Sequence, residues 1–98
     1  MRVPTFLSRL ATGAFLANSL PHLTQGISGH EFPTPFASPP GVGMSSPLIN
    51  VLWGSANLVL AYLLFARTRP LPQGLSLDVL VLGIGFVGTA ASLALVFG

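Results

Sequence analysis

Two long apolar runs constrain this chain more than any other feature of its sequence. They are LINVLWGSANLVLAYLLFA, residues 48–66, and LDVLVLGIGFVGTAASLALVF, residues 77–97. A helix needs about 20 apolar residues to cross the hydrocarbon core of a bilayer. Ser76 can cap the second run, and its one acid, Asp78, suits the positive end of the helix dipole. The sequence therefore predicts two membrane-spanning helices.

The composition excludes several classes of protein. Of the 98 residues, 51% are hydrophobic and 6% are charged, whereas soluble domains carry about 25% charged residues. The lack of cysteine excludes disulfides, thiolate metal sites and cysteine nucleophiles. Four scattered arginines form no basic patch, so we expect the lipid bilayer as a partner and no nucleic acid.

The segment 5–25 is apolar but interrupted by polar residues. One interpretation is a secretory signal peptide with an apolar region at 10–16 and cleavage after Ser19. We favour a retained third span, in which Arg9 reaches toward the nearer membrane surface. Pro21 leaves one backbone carbonyl without its usual donor, which predicts a kink or the end of this helix.

The arginines predict the direction of insertion. Arg2 and Arg9 begin the first span, whereas Arg67 and Arg69 lie between the second and third spans. Three spans put all four arginines on one side, as the positive-inside rule expects. We therefore predict one domain, 1–98, an all-α bundle of three transmembrane helices in a bacterial cytoplasmic membrane. The amino terminus and the 67–76 loop are then cytoplasmic, and the 26–47 loop and carboxyl terminus are outside.

Polar and small residues fall on single faces of the first two spans. The second span has four of them at helical spacing: Asn50, Gly54, Asn57 and Ala61. The first has three: Asn18, His22 and Gln25. Such faces favour close helix packing with hydrogen bonds between amides, and the depths predict that Asn18 and Asn57 hold spans one and two together. The alternative interpretation is a polar path for a proton or small solute.

The third span contains a GxGxxG sequence at 83–88. The dinucleotide fingerprint needs a preceding strand and a helix that opens after it, so the match inside a membrane helix is accidental. We expect a helix-packing face instead, made of small residues: Gly85, Gly88, Thr89 and Ser92.

The 26–47 loop is rich in turn-forming residues, since 13 of its 22 residues are Gly, Pro or Ser. Such a composition disfavours regular helix or strand over most of the loop. Loops of this length are usually functional or disordered, and the apolar residues spaced through this one favour order. We predict an ordered recognition loop with Phe32 and Phe36 as its contact residues.

The loop region also holds the candidate metal ligands His22, His30 and Glu31. Imidazoles with a carboxylate suit zinc, and paired histidines can bind haem. The spacing of these residues matches no known ligand pattern, so no cofactor is predicted. Serines are frequent, but there is no GxSxG nucleophile motif, and no catalytic residue is assigned.

The segments PHLTQGISGHEFPTPF, SPPGVGMSSP and NVLWG resemble a family of small, uncharacterised bacterial integral membrane proteins. The similarity covers roughly residues 17–65. It implies a membrane location and a bacterial source, and it implies no activity, ligand or catalytic residue.

These features together predict a non-enzymatic accessory subunit that acts through helix contacts and a recognition loop. Three short helices enclose little interior, so we expect a homo-oligomer or a larger membrane complex. One alternative is a metal- or haem-binding redox accessory that uses His22 and His30. Another is a small oligomeric transporter or channel.

Overall fold

The computed structural model describes residues 2–67 and 76–98. It contains three α-helices and one short antiparallel hairpin: α1 (Val3–Ile27), β1 (Phe32–Pro33), β2 (Met44–Ser45), α2 (Pro47–Arg67) and α3 (Leu77–Phe97). In the hairpin, Phe32 pairs with Ser45 and Pro33 with Met44. The Cα atoms extend over 39 × 23 × 21 Å, so the long axis exceeds the hydrocarbon thickness of a bilayer, about 30 Å.

The helix bounds agree closely with the apolar runs. α3 covers the predicted residues, and Val79 N donates to the capping Ser76 Oγ at 3.3 Å. α1 continues through Pro21 to Ile27, so the proline does not end the helix. His22 and Gly26 are buried beyond the proline, and this packing holds the helix together past the missing donor. The predicted 67–76 loop lies mostly on residues outside the described ranges.

Two of the helices, α2 and α3, are long and apolar enough to cross a membrane. Only 22% of the most apolar window of α2 and 11% of that of α3 are buried in the protein. A core helix of a soluble domain would bury most of such a window. α1 is longer, at 25 residues, but its composition is more polar.

α1 lies between the other two helices and packs along both. Hydrogen bonds from Asn18 to Asn57 and from His22 to Asn50 show that α1 and α2 are antiparallel. The ion pair of Arg9 with Asp78 shows that α1 and α3 start at the same end. We call this end the arginine end and the opposite end, where the hairpin lies, the loop end.

Glycine allows α1 and α3 to touch through their backbones. A Cβ at Gly13 would collide with the carbonyl oxygen of Leu82, and a Cβ at Gly85 would collide with that of Leu10. Gly88 is different, because a Cβ there would meet no atom within 4 Å. The small-residue face of α3 is thus divided: Gly85 is buried against α1, Thr89 is half-buried, and Gly88 and Ser92 are exposed.

Arg9 is buried among the helices and pairs with Asp78 at the start of α3, a partner that the sequence analysis did not assign. The residue is 1% exposed, and its Nε lies 3.3 Å from Asp78 Oδ1. Its guanidinium carbon also lies 5.8 Å from the centre of the Phe65 ring on α2, within the range of a cation–π contact. Pairing within the bundle replaces hydration of the charge and connects all three helices at the arginine end.

The glycine contact gives a matched pair of substitutions. Gly85→Ala and Gly88→Ala change the same residue type within one helix, so their effects on helix propensity largely cancel. We expect Gly85→Ala to be less stable than Gly88→Ala by about 1–3 kcal/mol, the usual effect of overpacking. Unfolding of both variants in mixed micelles, followed by circular dichroism, measures the difference. Equal stabilities would contradict the backbone contact between α1 and α3.

Candidate functional site

The loop between α1 and α2 is an ordered structure, which we call the loop cap (residues 28–46). Its centre is Thr34, which is 1% exposed. The Thr34 hydroxyl lies 2.6 Å from Ser45 Oγ, and its carbonyl accepts hydrogen bonds from Gly41 N at 2.9 Å and Ala37 N at 3.3 Å. One threonine therefore connects the hairpin to the turn that closes it.

Asn50, in the first turns of α2, fastens the loop cap to the helices. Its Nδ2 lies 3.1 Å from each of three carbonyl oxygens, those of Phe32, Ser45 and Ser46. An amide nitrogen has two hydrogens, so at least one of them is shared between carbonyls. Asn50 is 0% exposed, and its side chain supplies a donor to these backbone carbonyls, of which that of Ser46 also accepts from the backbone N–H of Asn50.

The bonds of Asn50 also determine the tautomer of His22. Because Nδ2 of Asn50 faces carbonyls, its Oδ1 must be the atom that lies 2.7 Å from His22 Nδ1. An amide oxygen can only accept, so Nδ1 of His22 carries the hydrogen and donates it. In the neutral ring the lone pair is then on Nε2.

Asn57 lies about two turns after Asn50 along α2, and it determines the orientation of the Asn18 amide in the same way. Asn57 Nδ2 donates to the carbonyl oxygen of Trp53 at 2.8 Å, which leaves Asn57 Oδ1 as an acceptor. Asn18 Nδ2 donates to this oxygen at 3.0 Å. The Oδ1 atom of Asn18 therefore remains available as an acceptor.

Four residues of α2 are buried, and they are the four that the sequence predicts on its polar face: Asn50, Gly54, Asn57 and Ala61. Gly54 lies against α1, where an added Cβ would be 2.8 Å from Leu23 Cγ. On α1, His22 is buried, whereas Asn18 and Gln25 are half-buried. The polar faces of the two helices therefore meet each other.

Aromatic rings join the loop cap to the bundle. Phe32 packs edge-on against His22, with ring centres 5.2 Å apart, and lies 4.9 Å from the ring of Phe97 on α3. Phe36 packs edge-on against Trp53 at 5.3 Å but is 58% exposed. Phe32 thus anchors the cap, and of the two predicted contact residues only Phe36 presents a large exposed surface.

A small cavity of about 150 Å³ lies beneath the loop cap. Residues from α1, from the cap and from the end of α3 line it: Asn18, His22, Pro33, Thr34, Pro35, Gly41, Leu93 and Phe97. Most of this wall is apolar, and its ionisable group is the buried imidazole of His22.

The three candidate metal ligands have separate surroundings. His22 is bonded to Asn50, whereas His30 is exposed and its Nδ1 lies 3.0 Å from Gln25 Oε1. Glu31 is exposed on the loop cap. Within residues 2–67 and 76–98, no three His, Cys, Asp or Glu side chains are grouped so that they could hold a metal ion.

Several residues of the site and bundle had no role in the sequence prediction. Gly13 is the clearest, and its spacing from Ala17 is a small-xxx-small pattern that could have identified it. The Arg9–Asp78 pair was also detectable, because the predicted topology puts both residues on one side. Thr34 and Trp53 carried no signal, since their partners depend on the path of the loop.

The chain matches no known family model, curated protein or solved structure. The similarity of residues 17–65 to small bacterial membrane proteins stays a prediction. What the protein does is therefore inferred from its own residues.

Two asparagine variants test the attachment of the loop cap. Asn50→Leu removes the side-chain donor to the Phe32 and Ser45 carbonyls, whereas the Ser46 carbonyl keeps the backbone N–H of residue 50. It also leaves the Nδ1 hydrogen of His22 without its acceptor, and each lost bond is worth about 1–3 kcal/mol. We expect the backbone amides of residues 32–45 to exchange hydrogen at least tenfold faster. Asn57→Leu breaks only the α1–α2 contact below the cap and should leave these exchange rates nearly unchanged.

Hydrogen exchange measured by mass spectrometry in micelles distinguishes the two variants. Equal acceleration in both would show that the cap is held by general helix packing rather than by Asn50.

Proposed function

We propose that this chain is a three-span membrane protein and that α1 is the additional span. The distribution of polar and apolar side chains supports the proposal, because it is the reverse of the distribution in a soluble protein. Among residues 2–67 and 76–98, the buried polar or charged residues outnumber the buried apolar ones, which are Ala17, Ala61 and Val81. Large apolar residues cover the outside of α2 and α3 and include Leu52, Tyr62, Ile84 and Val87. Lipid is the solvent that suits such an exterior.

The burial pattern of α1 supports its place in the membrane despite its polar composition. Its polar side chains Arg9, Thr12, Ser19 and His22 are all buried against the other helices. The hydroxyls of Thr12, Ser19 and Thr24 donate to carbonyls one turn earlier in the same helix. The lipid-facing side of α1 then consists largely of apolar residues, among them Phe6, Leu7 and Leu20.

The proposed orientation has the arginine end in the cytoplasm. Arg2, Arg9 and Arg67 belong to this end, and Arg69 follows Arg67 in sequence. The positive-inside rule favours cytoplasmic placement of such arginines. The loop cap and the end of α3 then face the outside of the cytoplasmic membrane.

The proposed function is that of a non-enzymatic membrane subunit that docks a second membrane subunit through its loop cap. One observation carries this proposal: polar atoms of the hairpin are bonded within the protein, and three large apolar side chains of the cap are exposed. Thr34, Ser45 and the carbonyls of the hairpin are bonded within the protein. Phe36, Val42 and Met44 are 58%, 71% and 55% exposed. A rigid apolar surface loses little conformational entropy on binding.

Reporter fusions test the orientation. Alkaline phosphatase, which is active only outside the cytoplasm, should be active when fused after Gly98 or inserted at Gly41, and inactive at Gln73. The reason is the position of the arginines relative to three spans. Activity at Gln73 together with inactivity at Gly98 would reverse the orientation, and equal results at the two sites would show that α3 does not cross the membrane.

Photo-crosslinking tests the docking function. A benzophenone analogue of phenylalanine at position 36 keeps an aromatic ring on the cap surface, and the same analogue at Tyr62 reports on the lipid-facing side of α2. In living cells we expect a discrete protein adduct from position 36. Replacing Val42 and Met44 by Ser should reduce its yield at least fivefold and leave adducts from position 62 unchanged.

An adduct of doubled mass would identify a second copy as the docked subunit, and a different mass would identify a heterologous one. Adducts to lipid alone at position 36 would contradict the docking function and favour contact of the cap with the membrane surface.

A further inference from the structure

Two acceptor atoms at the cavity beneath the loop cap are not used by the protein. His22 is 4% exposed, and its Nδ1 hydrogen is donated to Asn50, which leaves the lone pair on Nε2. Asn18 donates through Nδ2 to Asn57, which leaves Oδ1. In the described part of the chain, no residue donates a hydrogen bond to either atom. Both residues line the cavity.

The remaining wall offers few donors to balance these acceptors. Pro33 and Pro35 have no N–H group, and the N–H of Gly41 is bonded to the Thr34 carbonyl. The Thr34 hydroxyl is paired with Ser45. Leu93 and Phe97 make the opposite side of the cavity apolar. A ligand that fits must donate on one side and be apolar on the other.

Charge and size restrict the ligand further. Among the described residues, no arginine, lysine, aspartate or glutamate lines the cavity, so an ion of either sign bound there would lack a counter-charge, which is costly. The volume of about 150 Å³ corresponds to about five water molecules at roughly 30 Å³ each. A neutral molecule of a few non-hydrogen atoms is compatible with both limits.

We propose that this cavity binds a small neutral molecule with two adjacent hydroxyl donors, a vicinal diol. One hydroxyl donates to Nε2 of His22 and the other to Oδ1 of Asn18, while the carbon chain packs against Leu93 and Phe97. The diol comes from a free solute or from the glycerol headgroup of a lipid. This site is independent of the proposed docking function, since docking uses the outer surface of the loop cap.

The test uses the full chain with ¹⁵N-labelled histidine in detergent micelles. In the ligand-free protein, Nε2 of His22 should be the unprotonated ring nitrogen. Propane-1,2-diol should shift its resonance saturably, with a dissociation constant on the order of millimolar for so small a ligand. His30 is exposed and bonded to Gln25, so its resonances should stay unchanged and serve as the internal reference.

Two controls separate the site from solvent effects. 1,2-Dimethoxyethane has a similar size but no donors, and it should give no saturable shift. Leu93→Trp fills the cavity without touching the asparagine and histidine hydrogen bonds, and it should abolish the response to the diol. Asn18→Leu should weaken binding about tenfold, because one of the two acceptors is removed.

The source of the diol is distinguished in nanodiscs without added solute. A shift of His22 in phosphatidylglycerol but not in phosphatidylcholine identifies the lipid headgroup, and a response only to added diol identifies a solute. The proposal is overturned if Nε2 is protonated in the ligand-free neutral ring. It is equally overturned if the ether acts like the diol, or if neither the diol nor phosphatidylglycerol shifts His22.

Discussion

The side chain of Asn50 joins three parts of the chain at one point: α1, the hairpin and the segment that leads into α2. It accepts from His22 on α1, it donates to the carbonyl of Phe32 in the hairpin, and it donates to residues that precede α2. At the edge of an apolar medium, backbone carbonyls without donors are costly. The position of the cap, the ring orientation of His22 and the cavity between them all depend on this one amide.

At the opposite end, Arg9 has a comparable position in the middle of the bundle. Buried ion pairs add little to stability, because desolvation offsets much of the attraction, so the pair with Asp78 is better understood as fixing register. A shift of α3 by one turn along α1 would separate the two charges and also move Gly85 away from Leu10. Charge pairing and the glycine contact therefore specify the same alignment of the two helices.

Local periodicity was enough to predict α3, most of α2 and the buried face Asn50–Ala61, because these depend on helical spacing alone. The path of the cap was not predictable, since the bond between Thr34 and Ser45 and the bond from Asn50 to Phe32 join residues that are distant in sequence. The pairing of Arg9 was missed for a similar reason, since its partner Asp78 is 69 positions away.

The hydrogen bonds made by the two asparagines of α2 determine which atoms of α1 donate and which atoms remain as acceptors at the cavity. Asn57 and Asn50 each donate to backbone carbonyls within or next to their own helix, so their oxygens must accept from α1. Asn18 and His22 therefore donate through Nδ2 and Nδ1. Oδ1 of Asn18 and Nε2 of His22 remain as acceptors. Two short-range bonds in α2 thus determine an amide orientation and an imidazole tautomer one helix away. An aspartate at position 50 would still accept from Nδ1 of His22 and keep the same tautomer, but it could not donate to the three carbonyls that Asn50 reaches.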